Sequence, residues 1–345
     1  MSYGKVENAS VTLVSDIEFK TNVHERIFAV ISEDKGIIRK RSLDRAAFCK
    51  KIKTGTDGAE RETWLLEYEG SQFIFVPGRK NVTLGWDTDR CPLGDGVLEG
   101  LQKEFSSGHE YYYEEEMENL KGDYQEQIDE AEENGDSVKA NELRAELAEE
   151  LEQMGKDIEE KGYASWEGFL AKWNEHLSSC LSPLRTADIG DMIVEVDSRQ
   201  LDEDAPSLEQ AVLSLKEGPF MLPTEDEWEY LCNGGTRTLF WWGDTLCDVL
   251  REIYNVGAVG NTEENAILDQ PNMLGLFMAY DSYKNEIIDN TSYTKGGDGG
   301  CSLCGGDGAI YVLPCYTAFY RNPVNERHPG LLKNYFCYRR IIRLP

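Results

Sequence analysis

The stretch Leu222-Pro-Thr-Glu-Asp-Glu-Trp-Glu-Tyr230 decides how the rest of the chain is read. Pro223 and Thr224 stand at the start of a helix. Thr224 is a good N-cap, and Glu227, three residues on, completes a capping box in which each side chain accepts from the other's backbone N–H. Glu225, Asp226 and Glu227 fill the first turn with the negative charge that a helix N-terminus favours. Trp228 and Leu231 share a face that points into a core. The segment is a short helix, capped at its start, with one strongly apolar side.

Working outward from it, residues 208–215 form a second short amphipathic helix after a loop rich in Asp and Pro over 197–207. A longer helix over 165–178 places Trp166, Phe169, Leu170 and Trp173 on one face, with His176 near its end as a polar edge residue. Residues 110–160 differ in kind. Glu, Asp, Lys, Gln and Ala dominate, and no aromatic follows Tyr124. Leu143, Leu147, Leu151 and Met154 recur at helical spacing, and Glu133-Asn-Gly-Asp136 interrupts the pattern. The expectation is an antiparallel helical hairpin whose charge run is a solvated face. Further upstream, residues 11–14 and 27–31 are β-type runs and residues 45–53 are expected to be helical. Residues 64–69 and 72–76 read as a hairpin turning at Glu69-Gly70-Ser71, and residues 82–87 as a further strand.

The chain has 345 residues, 40% of them hydrophobic and 10% aromatic, enough apolar surface to bury a core. Its net charge of -29 repels phosphate backbones and anionic bilayers, so neither nucleic acid nor membrane is an expected partner. Met1 to Lys20 is polar, with no apolar run of a secretory signal, and no stretch is apolar enough to span a bilayer. The expected location is cytoplasmic. The nine cysteines are odd in number and irregularly spaced, which in that setting disfavours a disulfide framework and makes most of them small buried hydrophobes. No phosphate-binding loop or Rossmann fingerprint is present, so no nucleotide is expected.

Six stretches resemble, in order, the motifs of the formylglycine-generating enzyme (sulfatase-modifying factor) family. Phe75-Val-Pro-Gly78 with Val82-Thr-Leu-Gly85 is similar to the opening "IPGGxFxMG", and Leu222–Tyr230 to "LPTEAEWEY". Asn233–Asp244, with Trp241-Trp-Gly-Asp244, resembles the Gly-rich turn and "PWGD". Pro271-Asn-Met-Leu-Gly-Leu-Phe277 resembles "PNAWGLYDM", and Lys295-Gly-Gly297 resembles "RGGS". Tyr335-Phe-Cys-Tyr-Arg339 with Ile341 and Arg343 looks like the closing "GFR" strand. The resemblance covers residues 73–87 and 212–344. It implies an α+β fold, a variant of the C-type lectin fold with little regular secondary structure and long packed loops. The organisation it suggests is an N-terminal β-rich segment (1–72), a family-like domain (73–109 and 180–345) and an acidic helical insertion (110–179).

Oxidases of that family bind copper(I) through two cysteines in a Gly-rich stretch. Cys301 falls at the first position, but Gly306 stands at the second, and Cys304 lies instead at CxxC spacing. Soft thiolates at that spacing suit copper(I), zinc or a redox disulfide. Cys315 is the expected third thiol, with Cys337 and His328 as further donors. The alternative is that Cys301 and Cys304 are small buried residues of a Gly-rich loop. The histidines His24, His109, His176 and His328 lack the spacing of the iron site used by sulfoxide-forming relatives. The family's calcium string is replaced here by Asp281-Ser-Tyr-Lys-Asn-Glu286, so Asp281, Asn285 and Glu286, with Asp289, are the candidate calcium ligands. Arg321 aligns loosely with the arginine strand after the cysteine pair and is either a catalytic pocket residue or one arm of an internal ion pair. Arg339 takes the place of the arginine in "GFR", with a structural hydrogen-bonding role.

Two functions follow from the resemblance. One is a copper-dependent oxidase acting on a small thiol or peptide, with Cys301, Cys304 and Arg321 catalytic and Cys301, Cys304 and Cys315 holding the metal. The other is a non-catalytic binding module on the same fold, with the loops between Gly296 and Asn334 as its surface. In either case the helices of residues 110–160 are expected to mediate oligomerisation.

Overall fold

The computed structural model describes residues 49–54, 61–68, 70–216, 220–246, 267–304, 309–324 and 329–344. The expected strands at 11–14 and 27–31, and His24 and His328, lie outside these residues. The fold is mixed α+β. Strands β1 (Cys49–Thr54), β2 (Arg61–Tyr68) and β3 (Ser71–Val76) lead into β4 (Arg79–Leu84). The β2–β3 hairpin turns where the sequence placed it, with Tyr68 opposite Ser71 and Gly70 at a φ of 79°. The helix expected over 45–53 is corrected where the described residues cover it: Cys49–Thr54 is a strand, paired with β2 from Cys49↔Leu66 to Thr54↔Arg61. Its backbone groups find partners across the sheet, and tertiary pairing overrides the local pattern.

One continuous helix of 39 residues follows. It runs through α1 (Asp95–His109), a π-helical segment (Glu110–Glu116) and α2 (Met117–Glu133). The acidic insertion expected to begin at 110 therefore continues a helix that starts at Asp95, where Val97 and Leu101 are buried in the main core. The π segment lies beside Tyr163, whose carbonyl is 2.8 Å from His109 Nδ1. The break at Glu133-Asn-Gly-Asp136 holds. Gly135 adopts a φ of 74°, and Asp136 caps α3 (Ser137–Lys161) by accepting from the Lys139 N–H. The hairpin tip is closed by Ile128, Ala131, Ala140 and Leu143, and α4 (Trp166–Cys180) returns the chain to the core through Phe169, Trp173 and Leu177.

The remaining elements are β5 (Arg185–Ile189), β6 (Met192–Glu195), β7 (Arg199–Gln200), α5 (Leu208–Ser214), α6 (Glu225–Asn233), β8 (Asn285–Ile287) and β9 (Tyr293–Gly296), then α7 (Cys301–Cys304), α8 (Ala309–Val312), β10 (Asn322–Pro323), β11 (Phe336–Tyr338) and β12 (Ile341–Arg343). One sheet has the order β1-β2-β3-β6-β12, a second β10-β9-β8-β11-β7, and β4 pairs with β5. All neighbours are antiparallel except β8 and β11. Helix α6 lies among these elements. Its capping box is complete: the Thr224 N–H donates to Glu227 Oε2 at 2.7 Å, and the Glu227 N–H to Thr224 Oγ1 at 3.3 Å. Trp228 and Leu231 are fully buried. The two carbonyls near its C-terminus, of Leu231 and Cys232, accept from the Asn272 side-chain amide, whose oxygen in turn accepts from Leu274 and Leu276 N–H. That is the local reason for Pro271-Asn-Met-Leu-Gly-Leu-Phe277: Asn272 ends the helix and folds its own loop.

Candidate functional site

Helix α6 places Glu225 and Glu229 one turn apart on one face. Glu229 is wholly buried. It accepts from Lys295 Nζ at 3.0 Å, Ser182 Oγ at 2.6 Å and the Gly85 N–H at 3.0 Å, and it lies 3.2 Å from Arg185. Gly85 approaches so closely that a Cβ there would stand 1.9 Å from the Pro183 carbonyl oxygen, and its φ is 74°. Lys295, itself wholly buried, also reaches Glu225 at 3.4 Å. Arg321 clasps Glu225 with two hydrogen bonds of 2.7 and 2.6 Å and lies over the Tyr293 ring at 4.7 Å. Of the two roles open to Arg321, the geometry is that of the internal ion pair.

Burial opposes ionisation of Glu225, but the hydrogen bond from Arg321 and the charges of Lys295 and Arg185 outweigh it and hold the carboxyl down at about 2. A carboxyl depressed in the folded state adds stability that is fully present above its unfolded value and is lost as pH falls through the folded one. Thermal melts of the wild type are therefore expected to lose stability between pH 4.5 and about 2 more steeply than those of Glu225→Gln, which is already weaker at pH 7. Parallel pH profiles for the two proteins would contradict this assignment.

Asn285, at the start of β8 and buried, joins the loops around it. With its amide NH2 turned to the Gly297 carbonyl, 2.6 Å away, its oxygen accepts from the Gly299 N–H at 3.2 Å. It also lies 2.6 Å from the Asn322 amide. The backbone N–H of Asn285 donates to the Tyr335 carbonyl at 2.8 Å, and Lys284 Nζ donates to the Asn334 carbonyl at 2.7 Å. The turn at 281–284, the Gly-rich loop from Gly297 and the turn at 332–335 are thereby fixed to one another. Asp298 closes the Gly-rich loop by accepting from the Gly300 and Ser302 N–H groups at 2.7 and 2.9 Å.

The candidate metal ligands sit differently from a single cage. Glu286 is buried and paired with Arg339 at 3.0 Å, Asp281 accepts from the Tyr283 N–H at 2.9 Å, and Asp289 accepts from Lys216 Nζ at 2.7 Å. Asn285 is occupied as above, and the carboxylate next to it in sequence, Glu286, faces a guanidinium. Cys301 is exposed at the first residue of α7, and the backbone of Cys304 closes that single helical turn. The Cys304 side chain lies outside the described residues. Cys315 is buried, and burial pushes its thiol well above the ordinary value, with the Asp298 charge adding to the effect. Cys337 is buried too, its thiol pushed up to about 12 by burial. Among the described residues, no three His, Cys, Asp or Glu side chains converge as a metal-binding group.

Sequence reading missed the centre of this region. Lys295 was matched to a motif without a partner, yet carboxylates at 225 and 229, four apart on a capped helix, signal that a cation must meet them. The surface over Asn285 was missed as well. Of the seven large hydrophobic side chains exposed among the described residues, three lie on or next to its two turns: Tyr280, one residue before the first, at 36%, and Leu332 at 57% and Tyr335 at 41% on the second. No family model, curated protein or solved structure matches the chain. No helix among the described residues is long and apolar enough to cross a membrane.

Proposed function

We propose that the chain is a non-catalytic binding module on a C-type-lectin-like scaffold of the formylglycine-generating enzyme type, and that its ligand surface is the pair of turns with Tyr280, Leu332 and Tyr335 on or next to them. One observation carries this reading: apolar side chains stand exposed on loops that a buried hydrogen-bonded hub holds rigid. Tyrosine on a preorganised loop gives contact area at low entropic cost, and exposed apolar residues gathered in one place mark interaction sites. The scaffold assignment is supported by the order of the six stretches and by the way each of them meets helix α6 or its neighbours. Arg321 fits the same reading, since its guanidinium is committed to Glu225.

The copper-dependent oxidase remains a second reading on one observation, the exposure of Cys301 on the same helical turn as Cys304. Two measurements separate them. Reduced protein loaded with copper(I) is compared with Cys301→Ala/Cys304→Ala by elemental analysis, and both are expected to retain none. One copper per chain, lost in the double variant and accompanied by oxygen uptake with a small thiol, would establish the oxidase instead. In parallel, glycan and peptide arrays are probed with the wild type and with Tyr280→Ser/Leu332→Ser/Tyr335→Ser. Any ligand retained is expected to bind the triple variant at least about tenfold more weakly, the scale of losing anchoring side chains. Equal binding by both proteins would remove the surface from consideration.

A further inference from the structure

The helical hairpin is unevenly packed along its length. Its tip is closed by Ile128, Ala131, Ala140 and Leu143, and its root joins the main core through Phe105, Tyr163 and Trp166. Between them α3 continues the apolar stripe through Leu147, Leu151 and Met154, which are only half-buried. Here a groove of about 280 Å³ opens, floored by Tyr112, Leu120, Met154 and Ile158. Its walls carry Glu116, Glu150 and Asp157. The hydrogen bonds these carboxylates receive come from neutral groups: Tyr111 to Glu116, Tyr124 to Glu150 at 2.8 Å, and Gln153 to Asp157 at 2.8 Å. Among the described residues none of the three stands in an ion pair. The cation in the groove, Lys161, lies over the Tyr112 ring at 4.7 Å, at the root end. Over residues 110–160 the chain holds 20 carboxylates against 4 lysines and arginines.

We infer that this groove docks a cationic amphipathic helix of a partner protein, laid against the hairpin as a third strand of a helical bundle. An apolar seam needs an apolar occupant, and three half-buried side chains at spacings of four and three residues present one face to it. The occupant's flanks must be basic, because the walls are acidic and no ion pair among the described residues holds their carboxylates. A second copy of this hairpin would bring equally acidic walls together, so the charge that selects a basic helix also rejects self-association through this face. A helix of about 18 residues, roughly 27 Å long, would span the groove and the stripe beyond it.

The test uses the full chain and a fluorescent synthetic peptide of that length, made of leucine and lysine in a helical 3.6-residue pattern. A scrambled peptide of the same composition carries the same charge without the apolar face. The patterned peptide is expected to bind with an affinity that falls as salt rises, and the scrambled one at least about tenfold more weakly. Leu151→Ser/Met154→Ser is expected to weaken the patterned peptide at least about fivefold while the helical circular dichroism is kept. Hydrogen exchange on the wild type adds a readout that needs no variant: binding should slow exchange in residues 112–120 and 147–161. Equal binding of both peptides would mean attraction by charge alone and would overturn the inference. So would unchanged exchange in those segments, or a dimer in sedimentation equilibrium that the double substitution dissociates.

Discussion

Glu229→Gln is expected to cost about 3–5 kcal/mol, the loss seen when one partner of a buried ion pair is removed. Glu229 is wholly buried, and so is Lys295, which donates to it at 3.0 Å. Glutamine keeps the size but not the charge. Its two ends also differ, whereas both oxygens of Glu229 accept: one from Lys295 and Ser182, the other from Gly85. Whichever way the amide turns, an NH2 faces a donor, and among the described residues Glu225, at 3.4 Å, is the one carboxylate left to pair with Lys295. Since folded domains hold only about 5–15 kcal/mol in total, much of the stability should go. Urea unfolding of the two proteins reads this as a fall in midpoint at unchanged slope. The double variant Glu229→Leu/Lys295→Met, which removes both charges, should recover a large part of the loss. A single variant that loses less than about 1 kcal/mol would show that water reaches the pair and that the centre is not the hub described above.

The same residues show how much of the fold was legible. Thr224 and Glu227 are local neighbours, so the capping box, and with it the start of α6, was readable from spacing alone. The β2–β3 hairpin and the break at Asn134-Gly135 were readable for the same reason, because turns are short-range chemistry. The strand Cys49–Thr54 was not, since the partner that makes it a strand, β2, lies further along the chain. The change at 110 is of a different kind. Composition changes there, but the backbone helix continues, because Val97 and Leu101 anchor its first turns and the acidic part extends what they begin.

The site was less legible than the fold because its residues are polar and have two uses each. Asp281, Asn285 and Glu286 are oxygen donors close together in sequence, which reads as a cation site. In the folded chain Asn285 and Glu286 are both buried, one joining loops and the other facing Arg339. Nothing in the string itself says which. Arg321 was likewise open between pocket and ion pair, and only the position of Glu225, far away in sequence, decides it. Tyr335 was read as part of the closing strand. It stands one residue before β11, turned to solvent, which a pattern match to a strand does not reveal.

Arg339→Leu is expected to be at least as damaging as the loss at Glu229, again about 3–5 kcal/mol or more. The side chain is wholly buried and its guanidinium serves four acceptors: the carbonyls of Glu195, Val196 and Phe277, and the carboxylate of Glu286. These belong to the end of β6, the last residue of Pro271-Asn-Met-Leu-Gly-Leu-Phe277, and β8, so one planar group holds together segments from both five-stranded sheets. Leucine fills part of the volume but takes the guanidinium donor from all three carbonyls, of which Val196 keeps the Phe277 N–H at 3.2 Å, and leaves Glu286 charged and unpaired, each a separate penalty. Lysine keeps the charge but not the fork, because an ammonium cannot address four acceptors spread around a plane. Arg339→Lys is therefore expected to fall between the wild type and Arg339→Leu. The order wild type, lysine, leucine in denaturation midpoint is the signature of a geometric requirement. Equal loss in both variants would mean that only packing matters there. An unaffected lysine variant would mean that the pair with Glu286 alone holds the site, and that the three carbonyls find water. Arg339→Leu/Glu286→Leu sharpens the comparison: removing both charges should restore the part of the stability that belongs to the unpaired carboxylate, and the deficit that remains measures the three carbonyls.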